Sequence, residues 1–452
     1  MQAGSFFPGF HYSSIYAMAG DDCSLFFDLD DLTEKQQADH LSNIELTAML
    51  QVALACIGHG KDHLALYEEF LEPGWQETLQ RYHGLFSRMT KEVVPFEHFS
   101  YHPKTTFYQS VANLIKDKPA LTDVANLYMS SGSNEIIHQN SQLLEINRNV
   151  NSKKHFAENA PAYGIRVPDT IVTTKGALRD TAVTAFFEKH QYKVMLKLLG
   201  LAGARNVTAV ESIEATEDYV AEYDSEMVVL LQERLDLENY TEMTVDLVVS
   251  TNDIKIANLR KILFADGLWV GNLIGDSVSI TDEQSRTLIK VGEYARHHGY
   301  VSKEGSNCGI DFFIGQDGSL VVTEINARWT GGLFPAQILS QIDVNGRDAV
   351  PFFDMVLLKE REAYVDFIER HLTGESEGEF TMVPIGFGCF PVPIDGQDYF
   401  YSWQMVIGDF DAFKRTKKPR TTRGGNDHRR YYQPLPMIIS GSHHCGSARP
   451  RL

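Results

Sequence analysis

Cysteine is scarce and scattered. The chain holds five, Cys23, Cys56, Cys308, Cys389 and Cys445, an odd number with no Cys-x-x-Cys pair. That excludes a disulfide framework and fits a reducing compartment. Long apolar runs are missing too: no uninterrupted stretch nears bilayer-spanning length. The first eleven residues lack a charged segment followed by an apolar one, so no secretory leader is expected. Positive charge is in deficit, with 41 Lys and Arg against 60 Asp and Glu and a formal net charge of -19. A nucleic-acid backbone binder needs a positive footprint, so nucleic acid is excluded as a general partner. The deficit is uneven, because ten Lys or Arg and only two acidic residues lie from Asp411 onward. A soluble cytoplasmic protein with no membrane contact is the expectation.

The apolar fraction, 43% of 452 residues, is ample for packed cores, and the length suits two or three units. Residues 1–150 read as a mixed α/β unit. Within it 24–27 is a short strand candidate stopping at Asp28, Asp30 and Asp31, and 41–57 is helix-like, with Ile44, Leu46, Met49, Leu50 and Leu54 on one face. From residue 151 the texture changes. A helix is expected over 152–160, then strands over 170–173, 193–199, 207–210, 227–233, 243–250, 254–264 and 268–274, and a helix over 282–297. A hairpin over 310–314 and 319–325 turns at Gln316-Asp317-Gly318. Many short strands with few crossover helices indicate an α+β arrangement with antiparallel or mixed sheets. Beyond about residue 348 a helix is expected over 353–371, then a charged loop at 374–379, Pro/Gly-rich strands to Tyr401 and a basic tail. The division is therefore 1–150, 151–348 and 349–452.

The strongest local signal is Gly309-Ile310-Asp311-Phe312-Phe313 followed by Val322-Thr323-Glu324-Ile325-Asn326-Ala327-Arg328. Two strands joined by a tight turn bring Asp311 beside Glu324 and Asn326, and the latter two share a face because strand side chains alternate. Two carboxylates and an amide have the hardness for Mg²⁺ holding nucleotide phosphates. Arg328 keeps the same parity and is a candidate clamp for a substrate carboxylate or a transferring phosphoryl group. Thr330-Gly331-Gly332 would let backbone approach an anion. Lys197 lies in an otherwise apolar strand, where it needs either a phosphate partner or a reach to solvent. The following loop from Gly200 through Gly203 to Arg205 is flexible enough to cover phosphates. Gln232 and Glu233 end an apolar run that either presents groups to a base and ribose or simply exits a strand.

Together these residues resemble the ATP-grasp superfamily, in matching order, over about residues 151–339. The resemblance implies an ATP-grasp core with an N-terminal α/β pre-grasp domain and a small C-terminal region. It implies ATP and Mg²⁺, with Glu324, Asn326 and Asp311 as metal ligands. Lys153, preferred to Lys154 on spacing, and Lys197 would contact phosphates beneath the loop carrying Gly200 and Gly203. Gln232, Glu233 and Glu242 would position the nucleotide, and Lys197 and Arg328 would act in catalysis. Gly309 stands where D-alanine ligases carry an arginine, which turns the reading away from that substrate. The implied activity joins a small-molecule carboxylate, activated as acyl phosphate, to an amine, with amino acids or peptides as substrates and a homodimer as a family-level expectation. A thiol or hydroxyl acceptor is the alternative chemistry, and a nucleotide-binding scaffold the alternative class. His138, His155, His297 and His298 are candidate bases with structural roles as the simpler reading.

Overall fold

The computed structural model describes residues 2–4, 13–19, 34–121, 123–125, 129–199, 207–265, 268–394 and 396–417. The strand expected at 24–27 with its aspartates, the loop carrying Gly200 and Gly203, the turn at 266–267 and the tail beyond 417 lie outside them.

Near the N-terminus a wholly parallel five-stranded sheet runs in the order Gln2–Gly4, Asp123–Ala125, Ser14–Tyr16, His63–Tyr67, Phe99–His102. Helix Glu34–Ile57 buries Ala48, Met49, Val52, Ala53 and Cys56. It lies between this sheet and an antiparallel C-terminal sheet ordered Ala349–Leu357, Gln397–Gly408, Phe380–Phe387. One hydrophobic core serves both sheets. Within it Trp75 packs near-parallel to Phe387 and Phe400, ring centroids 6.1 Å apart in each case. The helix can come this close because Gly386 has no side chain. A Cβ there would sit 2.2 Å from the Met49 carbonyl oxygen, which is backbone and cannot swing away. Gly386→Ala should therefore cost about 1–3 kcal/mol, read as a lower denaturation midpoint. An unchanged midpoint would mean that the helix is free to shift.

Between these parts lie two antiparallel sheets. The smaller runs Thr170–Thr174, Val228–Glu233, Val194–Leu198, Val207–Val210 and the larger Leu268–Leu273, Ile254–Ala265, Tyr240–Val249, Ser306–Gly315, Leu320–Asn326. Each has its own core. Helix Asp282–His297 closes one face of the larger sheet with buried Leu288, Val291, Tyr294 and Ala295. Its start is set by a reciprocal capping box between Thr281 and Gln284, and acidic residues in its first turn and basic ones in its last oppose the helix dipole.

The mixed α+β reading holds. One element differs: residues 353–371 are not a single helix. The strand Ala349–Leu357 occupies the first part and helix Arg361–Arg370 the second. Nine residues of that strand pair in register with Gln397–Gly408. A short apolar run cannot be assigned to helix or strand by period alone, and here the partner strand decides it.

Candidate active site

Strand Tyr240–Val249 alternates strictly. Met243, Val245 and Leu247 enter the core beneath helix Asp282–His297, while Glu242, Thr244 and Asp246 take the opposite face. Register carries that polar face across its neighbours. Thr244 lies opposite both Arg260 and Asp311, Asp246 opposite Asn258 and Gly309, Asp311 opposite Glu324 and Gly309 opposite Asn326.

The three expected metal-suited residues come together on this face. Asn326 Nδ2 donates to Asp311 Oδ2 at 3.0 Å, which turns Asn326 Oδ1 away as a buried acceptor with no hydrogen-bond partner. Lys153, first residue of helix Lys153–Asn159, donates to Glu324 Oε1 at 2.7 Å. Lys197 reaches across from the smaller sheet, 6% exposed, and donates to the Thr323 carbonyl oxygen at 3.3 Å. Burial and the Glu324 charge hold the Asp311 carboxyl above its usual range. Burial pushes Glu324 upward as well, but Lys153, Lys197 and Arg328 outweigh it and keep this carboxylate below its usual value. The Lys197 ammonium is lowered to about 8, chiefly by burial. Glu242 is raised to about 7 by burial and by Asp311. Among the described residues no three His, Cys, Asp or Glu are grouped as a metal site. Two carboxylates and an unpartnered amide oxygen nonetheless form an all-oxygen donor set that fits a small hard dication.

A second polar assembly, which sequence reasoning missed, lies on the same face. Asp246 and Arg260, 0% and 1% exposed, pair at 2.5 Å. Asp246 also accepts from Asn307 Nδ2 at 3.1 Å and Thr330 Oγ1 at 2.8 Å. Asn307 donates as well to the Arg328 carbonyl oxygen at 2.8 Å. The Arg328 guanidinium donates to Asn151 Oδ1 at 2.8 Å, and Asn151 Nδ2 donates to the Ala327 carbonyl oxygen at 3.0 Å. Arg328 is thus held at backbone and side chain, beside the carboxylate cluster. Gly332 has a further use. A Cβ at Gly332 would fall 2.2 Å from Arg260 Cζ, so its bareness makes room for the guanidinium, while Gly331 faces open space.

At the far end of the smaller sheet Gln232 Nε2 donates to Thr170 Oγ1 at 3.0 Å. The Glu233 carboxylate accepts from the Asp169 backbone N–H at 3.1 Å, tying the strand end to its neighbour. His155 is bonded to Tyr294 OH at 2.6 Å, its ring edge-on to that of His298. Phe387, Cys389 and Trp403 belong to the core shared by the N- and C-terminal sheets.

No family model matches the chain, and no curated protein matches it. Solved structures do. N5-carboxyaminoimidazole synthetase from Staphylococcus aureus superposes with a TM-score of 0.50 at 12% identity, over 92% of this chain and 98% of that one. N5-carboxyaminoimidazole synthase from Aspergillus clavatus, in complex with ADP and 5-aminoimidazole ribonucleotide, gives 0.51 at 11% identity, over 90% and 98%. At such identities the likeness is one of fold alone: the chain folds as these two enzymes do.

Proposed function

We propose that the chain is an ATP- and magnesium-dependent ligase, ADP-forming, that joins a carboxylate to an amine through an acyl phosphate, with residues 151–348 as its nucleotide core. One observation carries this reading. Asp311 and Glu324 stand opposite each other, the Asn326 oxygen beside them lacks a partner, and two lysines from separate elements converge on the same strand.

The substrate carboxylate oxygen attacks the γ-phosphorus, a new O–P bond forms, the bond to the bridging oxygen breaks, and ADP leaves. Lys197 and Lys153 offset the charge on the transferring group from fixed positions, which is electrostatic work done before the reaction begins. Magnesium, when bound through Asp311, Glu324 and the Asn326 oxygen, supplies further charge neutralisation at the phosphates. Arg328, restrained by Asn151 and Asn307, binds the acyl phosphate. The amine nitrogen then attacks the acyl carbon, loses its proton, and inorganic phosphate departs. Gln232 and Glu233 serve the nucleotide's base and ribose end, and Glu242, beside Asp311 and Lys197, helps position the nucleotide.

The test is phosphate release from ATP and Mg²⁺ across pairs of amino acids and small carboxylates, with product mass read in parallel. Release that requires one pair, with a product one water lighter than their sum, is the expected result. Release with a thiol or an alcohol in place of the amine would move the acceptor class. ATP binding with no pair-dependent release would overturn the ligase reading.

A further inference from the structure

The Lys153–Glu324 pair joins two residues that the reaction needs apart. Glu324 is one of two carboxylates fit to hold the cation, yet its Oε1 is taken by Lys153 at 2.7 Å, with the two side chains 11% and 19% exposed. The other two donors are differently placed. Asp311 Oδ2 is held by a neutral amide, which a cation can readily outbid, and the buried Asn326 Oδ1 has no hydrogen-bond partner. The pair therefore governs whether the donor set is available.

We propose that Lys153 exchanges partners during nucleotide binding, so that it withholds Glu324 from a bare divalent cation and releases it when a nucleotide phosphate takes the ammonium. The inference rests on the ligase reading of this site.

Charge counting gives the reason. Lys153, Lys197 and Arg328 stand against Asp311, Glu324 and Glu242 around the cluster, and Arg260 is already matched by Asp246 at 2.5 Å. A cation arriving alone must break the Lys153–Glu324 pair and leave a mostly buried ammonium beside itself without a partner, which is costly in a medium that screens poorly. A cation arriving with a polyphosphate brings its own partner for that ammonium. The three groups then re-pair without an orphan. Metal and nucleotide affinities become linked, and by thermodynamic necessity each raises the other by one common factor. Lys154, next in the chain, bears the same charge and makes no ion pair with Glu324.

The experiment uses the full chain and Mn²⁺ as probe, with free Mn²⁺ read by electron paramagnetic resonance, with and without ADP. The wild-type protein should bind Mn²⁺ weakly alone and tightly with ADP. Lys153→Met should tighten binding of Mn²⁺ alone by about tenfold, weaken ADP, and bring the coupling factor close to one. Lys154→Met, which changes net charge equally, should leave Mn²⁺ binding as in wild type. The proposal is overturned if Lys153→Met leaves Mn²⁺ affinity unchanged or lowers it while ADP still binds, or if Lys154→Met tightens Mn²⁺ equally. A wild-type protein that binds no nucleotide would instead overturn the ligase reading, and this inference with it. Equal melting temperatures of the three proteins exclude misfolding as the cause of any difference.

Discussion

Asp246→Ala is expected to lower the unfolding free energy by about 3–5 kcal/mol, the cost of leaving one member of a buried ion pair without its partner. Arg260 is 1% exposed, and with Asp246 gone its remaining side-chain partner is Thr244 Oγ1 at 3.3 Å. The guanidinium cannot turn toward solvent, because Gly332 packs directly against it. Against a total stability of about 5–15 kcal/mol for an ordinary domain, the loss is severe. Chemical denaturation followed by circular dichroism measures it. The paired substitution Asp246→Leu with Arg260→Met separates charge from packing: an apolar pair in the same space should recover most of the loss. If single and double variants fall equally, the damage comes from the released Asn307 and Thr330, and the ion pair itself contributes little. Even the stable double variant should bind the reaction's anion poorly, since Asn307 and Thr330 lose the carboxylate that aligns the segment carrying Arg328.

That assembly also marks the limit of what the chain discloses before it is folded. The cluster of Asp311, Glu324 and Asn326 was legible because it depends on one hairpin. A period of two fixes which side chains share a face, and the Asp317-Gly318 turn, with Gly318 at φ +80°, brings the strands into register. The helix Asp282–His297 was similarly local. Arg260 was not legible, because an arginine in a β-rich stretch reads as an exposed edge residue until Asp246, 14 residues earlier, is known to lie across from it. Asn307 meets Asp246 over 61 residues and Asn151 meets Arg328 over 177. Neither pairing leaves a spacing signal. Asp246 did carry one, since it sits on the same parity as Glu242 and Thr244. A polar stripe that continues into a buried strand already predicts a polar partner on the neighbouring strand. The strand at Ala349–Leu357 was lost to the opposite difficulty, an apolar run whose form is decided by a distant partner.

Affinity for ADP should be nearly constant from about pH 7 to pH 8 and then fall tenfold for each further unit, so that about a hundredfold is lost by pH 10. Lys197 is the cause. Burial has lowered its ammonium to about 8 in the free protein, below the value near 10.4 that an exposed lysine keeps. The sign follows from which form binds phosphate. Below pH 8 the side chain is charged before the nucleotide arrives, so binding needs no proton. Above pH 8 it is neutral, a proton must be taken up on binding, and affinity declines with pH until the value in the complex is reached. Nucleotide phosphates do not produce this slope, because their last ionisation is near 6 and complete above neutrality. Glu242 titrates at about 7 and contributes at the lower edge of the range, which Glu242→Gln removes. Lys197→Arg, charged throughout, should flatten the decline, whereas Lys197→Met should bind weakly at every pH with no inflection near 8. An inflection that survives in Lys197→Met would assign the titration to another group. In that case the buried lysine does not meet the phosphates, and the smaller sheet does not serve the nucleotide in the way its geometry supports.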